Sequence, residues 1–251
     1  MSMVPCLHRI HLDQPDGALA IHQSLGLSIA YMPLIERLEQ LNQNAERSGQ
    51  PARSVLVTFD DGWADVMRLA PQFSWWSYLR PVLFLTLVQL AGKRPLMPMP
   101  RLYHWCASTD VALSDLPTYD VSRADLKRIP EAAQHLVLDR IGVPRVTDSP
   151  EILAEQQIRE LMSQGWLVGS HGYEHFDLRR ANDKDLAYGL ERAYEAVLQF
   201  GGVPWLAWPE GRCSARSCEV AASVGFELQF SLQVEAGSLS RRDLIHREIW
   251  K

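Results

Sequence analysis

The chain is poor in the features that would place it in several large functional classes. It has only four cysteines in 251 residues, Cys6, Cys106, Cys213 and Cys218, and no two of them stand in the Cys-x₂-Cys spacing of a zinc knuckle. Scattered cysteines in a chain of this length predict free thiols rather than a disulfide framework, and a reducing compartment. There is no basic excess: 25 Lys and Arg face 30 Asp and Glu, a net charge of −5. A nucleic-acid-binding surface would leave a basic footprint, and the two short basic pairs, Arg179-Arg180 and Arg241-Arg242, read as solvated loop ends. Long apolar runs are missing as well. The longest, Pro81 to Leu90, is about half of the roughly 20 residues that a membrane span needs. The first residues, MSMVPCLHRIH, show no basic segment followed by an apolar one, so no signal peptide is expected and the location is expected to be cytoplasmic.

What is present is an alternation of short apolar runs with amphipathic stretches. Ser54–Phe59, Pro81–Leu87, Trp166–Gly169, Val203–Trp208 and Phe226–Leu232 read as strands, and Pro5–Ile10 as a first one. Near-continuous apolar runs of this kind suit strands buried on both faces, as in parallel sheets. Between them Pro33–Glu46 has a helical apolar stripe at Leu34, Ile35, Leu38 and Leu41. A helix is expected to open at Ser149-Pro150-Glu151 and run to Ser163, with Pro150 in its first turn. Another is expected from Asn182 or Asp183 to Phe200, and a shorter one from Ser214 to Val224, each stopped by glycine. Strand–helix alternation implies right-handed βαβ units and a parallel sheet, here an α/β barrel. The segment 92–148 breaks the rhythm with six prolines, Pro95, Pro98, Pro100, Pro117, Pro130 and Pro144, and one helical patch from Arg123 to Ile141. It reads as an insertion, either a lid or a passive excursion, within a single catalytic domain spanning 1–251.

Chemistry concentrates where strands end. Asp60-Asp61-Gly62 closes a buried run, and in parallel α/β folds ligands bind at the carboxyl ends of strands. Two adjacent carboxylates disfavour joint ionisation unless a cation is shared nearby. Successive residues point in different directions, so one carboxylate is free to ligate while the other handles protons. A helix cap would explain one Asp here but not two beside a Gly. His171 and His175, at i and i+4 after another strand, have the spacing of two ligands on one face of a helical turn. One Asp with two His is a set that leaves metal positions open for water and substrate.

These residues carry a resemblance. Thr58-Phe59-Asp60-Asp61-Gly62 is similar, letter for letter, to the first motif of the polysaccharide deacetylases, the NodB-homology family. Ser170-His171-x-x-x-His175 resembles the second, and Ala207-Trp208-Pro209-Glu210-Gly211 the third. The resemblance implies a distorted (β/α) barrel of the NodB type with parallel strands. It also implies one divalent metal, Zn²⁺ first and Co²⁺, Ni²⁺, Fe²⁺ or Mn²⁺ as alternatives, on Asp61, His171 and His175. Asp60 would be the general base, and the backbone N–H of Glu210 would help hold the oxyanion. The substrate it implies is an N-acetylated sugar or glycan.

The general acid has two candidates. Leu7-His8-Arg9-Ile10 resembles the start of members with circularly permuted motif order, whose N-terminal His is the acid, and Leu244-Ile245-His246 resembles the acid motif of the unpermuted ones. His8 is preferred, because Pro5–Ile10 also reads as a barrel strand. Where the third motif often begins with an Arg that pairs with the base, this chain has Ala207, leaving Arg247 or Arg212 as substitutes. Glu210 stands where an aromatic residue is usual. Of the eight tryptophans, Trp208 and Trp105 are the choices for a sugar groove. Two other functions stay open: an N-deacylase of a non-sugar small molecule, and a non-catalytic carbohydrate-binding barrel that keeps the metal.

Overall fold

The computed structural model describes residues 4–234 and 244–250. Seven parallel strands close a barrel: β1 (Val4–Leu7), β2 (Val55–Phe59), β3 (Leu79–Leu85), β4 (Leu167–Ser170), β5 (Trp205–Ala207), β6 (Leu228–Ser231) and β7 (Leu244–Ile249). Each pairs with the next in chain order, and β7 returns to β1. The pattern of each strand explains why it sits between two apolar layers. In β3, Val82 and Phe84 join one buried cluster with Ala207 and Phe230, while Leu79, Leu83 and Leu85 join another beneath the helix Tyr31–Arg47. A period of two thus fills both the barrel interior and the layer outside it. Gly169 of β4 is where the interior is tightest. A Cβ there would lie 2.5 Å from the Phe84 ring.

The helices expected from Asn182 or Asp183 to Phe200 and from Ser214 to Val224 form as Asp183–Phe200 and Ala215–Val224, with Asn182 and Ser214 as N-caps that accept from the third backbone N–H. Two expectations change. The helix expected from Ser149 begins only at Glu155. Residues 149–153 instead lie along the loop that leaves β2: Ala64 N–H donates to Glu151 O at 2.7 Å and Leu153 N–H to Gly62 O at 2.9 Å. Ile152 and Leu153 are buried there, a tertiary gain that outweighs a first helical turn. The first strand is likewise shorter than Pro5–Ile10. It stops at Leu7, and after His8 the chain pairs Arg9–His11 with Ser28–Ala30 outside the barrel. The basic pair Arg241-Arg242 lies outside the described residues.

The segment 92–148 is richer than its composition suggested. The patch Arg123–Ile141 is two helices, Arg123–Leu126 and Glu131–Arg140, parted at Pro130. A further helix, Pro98–Thr109, starts with Pro98 in its first turn, where a missing N–H costs nothing. Leu102, Tyr103, Cys106, Leu116 and Leu138 of this segment form a cluster of their own, which also takes in Ala18 of the helix Gly17–Ser24.

Candidate active site

The barrel register decides which residues meet. Leu7 lies opposite Phe59 and Phe59 opposite Leu83, so β1 and β2 end level while β3 runs two residues further, to Leu85 opposite Ser170. The ladder runs one bond further at two places: Asp60 N–H donates to Leu7 O at 2.9 Å and His171 N–H to Leu85 O at 2.6 Å. Asp60 continues the inner face of β2 after Leu56 and Thr58. Its two carboxylate oxygens accept from Arg247 Nη1 at 2.7 Å and Nη2 at 2.8 Å, and the Cys6 thiol donates to it at 3.4 Å. Burial alone would raise the Asp60 carboxyl, but Arg247, and His171 after it, bring it down to about 2. Arg247, from β7, therefore fills the place left by Ala207, and Arg212 is exposed.

Asp61 turns away from Asp60. It takes a left-handed φ of 70° and Gly62 follows at 66°. Its carbonyl accepts from Gln89 Nε2 at 2.5 Å. Glycine is required next, since a Cβ on Gly62 would sit 2.7 Å from Leu85 Cδ2. Asp61 Oδ1 then lies 3.4 Å from His171 Nε2 and 3.2 Å from His175 Nε2. Donor atoms of a tetrahedral zinc site, at bonds of about 2.0–2.2 Å, are roughly 3.3–3.6 Å apart. Neither contact has hydrogen-bond geometry, and Asp61 Oδ1 is a buried oxygen without a hydrogen-bond partner among the described residues. The three residues thus fit a divalent ion. His171 is oriented to ligate through Nε2. Its Nδ1 lies 2.8 Å from Ala207 O, so Nδ1–H donates there and the Nε2 lone pair is left free. Burial would lower His175, but Asp61 first and Glu210 after it push it up to about 9. His171 to His175 is not the helical turn that their spacing suggested. The chain bends through Gly172, at a φ of 79°, and the two rings still meet with centroids 5.1 Å apart.

His8, at the break after β1, has a buried Nδ1 with no hydrogen-bond partner among the described residues and belongs to a cluster with Cys6 and Asp60 whose side-chain donor atoms lie within 4.8 Å of one another. Burial pulls its pKa down. His246 is exposed. Arg247 points into the barrel, and the alternation of a strand sends its neighbour outward. Glu210 has a left-handed φ of 57° between Pro209 and Gly211. Its side chain pairs with Lys127 of the inserted segment and lies 3.7 Å from His175 Nδ1.

His8, Asp60, Asp61, His171, His175 and Glu210 line one cavity of about 200 Å³. Its far wall was not legible from the motifs. Trp63, Met97, Met99, Tyr103 and Lys127 form it together with His22. Trp208 and Trp105 do not contribute. Trp208 follows the inward Ala207, faces the outer helices, is fully buried, and donates from Nε1 to Gln229 at 3.2 Å. Trp105 packs on Tyr119, ring centroids 5.3 Å apart. Trp63 was the better choice on a signal already present, its place directly after Asp60-Asp61-Gly62. His22 stands edge-on to both Trp63 and Tyr103, at 5.4 and 5.0 Å, and Arg9 lies 4.1 Å from the Trp63 ring centroid.

Comparison with known proteins agrees with this picture. The polysaccharide deacetylase family model matches residues 131–229, which hold His171, His175 and the Ala207–Gly211 segment. No curated protein matches significantly. Among solved structures, the Streptococcus pyogenes deacetylase PplD in complex with acetate is 15% identical at a TM-score of 0.58, over 99% of this chain and 92% of that one. IcaB from Ammonifex degensii is 17% identical at 0.54, over 99% and 91%. The BpsB deacetylase domain from Bordetella bronchiseptica is 17% identical at 0.52, over 99% and 97%. Over residues 131–229 this chain is a match to the polysaccharide deacetylase family, and its fold is the closed, all-parallel (β/α) barrel of the NodB type.

Proposed function

We propose that the protein is a metal-dependent amide hydrolase that removes an N-acyl group, acetyl first among them, from an amino sugar. The observation that carries this reading is the convergence, in one cavity, of Asp61, His171 and His175 with a separately held carboxylate, Asp60. A divalent ion such as Zn²⁺, held by Asp61, His171 and His175, would polarise the amide carbonyl and acidify a water. Asp60 is the group that takes the proton of the attacking water at a carboxylate oxygen, and Arg247 keeps it ionised and fixed. Being close to Asp60, the His8 imidazole gives that proton a path to the leaving amine, so His8 acts as the general acid, in the manner of the permuted subgroup. The backbone N–H of Glu210 is the donor for the charge that develops on the carbonyl oxygen. A pure binding barrel has no use for a buried, Arg-clamped carboxylate beside its ligands, which favours the enzyme. Residues 92–148 belong to the same catalytic domain and wall its pocket. A second reading, an N-deacylase for a non-sugar amide, is favoured by the apolar Met97, Met99 and Pro100 on that wall.

The test is acetate release from N-acetylglucosamine and its short oligomers by protein stripped of metal and then reloaded with Zn²⁺ or Co²⁺. Activity that appears only on reloading, and is lost in Asp60→Asn, is the expected result. Hydrolysis of acylated non-sugar amines alone would transfer the assignment to the second reading. No hydrolysis of any amide after reloading would overturn both.

A further inference from the structure

We propose that Glu210 is the outer carboxylate that holds His175 in ligating orientation, with Lys127 of the inserted segment as its counter-ion. This rests on the metal-centre reading above. A histidine that ligates through Nε2 presents its Nδ1–H to an acceptor, which fixes the ring and raises its basicity. For His171 that acceptor is Ala207 O. For His175 the carboxylate in position is Glu210, whose Oε1 lies 3.7 Å from Nδ1 and is buried with no hydrogen-bond partner among the described residues. Less than an ångström of ring or carboxylate movement makes the bond. One short segment, Ala207 to Glu210, thus serves both metal histidines, a neutral carbonyl for one and a charged oxygen for the other. That gives the side chain of Glu210 a purpose that its backbone N–H does not need.

A buried carboxylate is costly without a partner. Lys127 binds the other oxygen, Oε2, and leaves Oε1 for His175. Lys127 is itself held against the histidine loop. Its carbonyl accepts from Asp177 N–H at 3.1 Å, and nearby Glu131 accepts from His175 N–H at 3.2 Å while donating its own N–H to Glu174 at 3.0 Å. The inserted segment therefore braces the second ligand loop and sets the charge behind its histidine.

The test is Zn²⁺ affinity of the metal-free protein, by competition with a chromophoric chelator at neutral pH, for wild type, Glu210→Gln and Lys127→Met. Gln keeps the shape and loses the charge, so zinc affinity falls by about tenfold or more. Lys127→Met leaves affinity equal to wild type or tighter, because it removes only the opposing charge. Opposite responses of two contacting residues are not what a merely structural pair would give. Unchanged affinity in Glu210→Gln, or equal weakening in both variants, would overturn the proposal while leaving the metal centre intact. Failure of the wild type to bind zinc would overturn the metal centre itself, and this inference with it.

Discussion

The strand-end half of the cavity and the opposite wall, built mainly by residues 92–148 with His22 and Trp63, are held in place by different forces. Asp60 and His171 are set by main-chain hydrogen bonds that prolong the barrel ladder, and Asp60 is then clamped by a buried bidentate arginine. The opposite wall has no ladder behind it. Tyr103 and Met99 are placed by a separate apolar cluster, and Lys127 by its contacts to the histidine loop. Reacting groups must be held within a fraction of an ångström, and ladder bonds at a strand end do that. A wall that selects substrates tolerates looser support. Substitutions at the strand ends should therefore change the rate of reaction, and those on the wall should change which molecule is accepted.

The largest expected effect is that of the double substitution His171→Ala, His175→Ala. Elemental analysis should find bound metal lost and acetate release at background, with the barrel still folded. Next come the proton-handling groups: Asp60→Asn and His8→Ala should each lower kcat by about 10²–10⁴-fold with metal content retained, whereas the exposed His246→Ala should leave kcat unchanged. Equal losses at His8 and His246 would erase the distinction between inward and outward faces on which the acid assignment rests. Arg247→Met should cost about 3–5 kcal/mol in denaturant unfolding at neutral pH, because it leaves the Asp60 charge buried and unpaired. Asp60 has a folded pKa of about 2, below its ordinary value of 3.8. Its pairing therefore stabilises the fold above pH 3.8, and that contribution fades as the pH drops through 3.8 towards 2. The Arg247→Met deficit should shrink as the pH falls, starting above 3.8, because burial without Arg247 raises the Asp60 carboxyl. The smallest effect belongs to the wall. Trp63→Phe removes the buried indole N–H, which has no partner among the described residues, and should raise KM by roughly tenfold or less, the worth of one neutral hydrogen bond, with kcat nearly unchanged. A kcat loss there as large as that of Asp60→Asn would show that wall and strand ends are not separate in function.

The strand pattern and the three motifs were legible because they are local. A run such as Ser54–Phe59 followed by Asp60-Asp61-Gly62 states in consecutive letters both the strand and what its end carries. The helix starts near Asn182 and Ser214 were legible for the same reason, since a cap acts on residues two and three positions away. The helix expected at Ser149 fails on a non-local competitor, the loop after β2 that recruits the backbone of Glu151 and Leu153. Pro98–Thr109 was hidden by its prolines, which read as loop until they are seen in the first turn of a helix. The choice of Trp208 over Trp63 went wrong on strand parity, because Ala207 faces inward and Trp208 therefore faces out.

By itself the sequence determined a parallel α/β barrel and the residues on its strand ends, Asp60, Asp61, His171 and His175, because hydrophobic period and strand-end position are properties of short stretches of chain. Only the tertiary structure decided that Arg247 and not Arg212 clamps Asp60, that His8 and not His246 enters the cavity, and that Trp63, Tyr103 and Lys127 line it together with Asp61, His171 and His175. Those pairings join residues up to 187 positions apart. They depend on the closure of β7 onto β1 and on how 92–148 folds back, which no local pattern encodes.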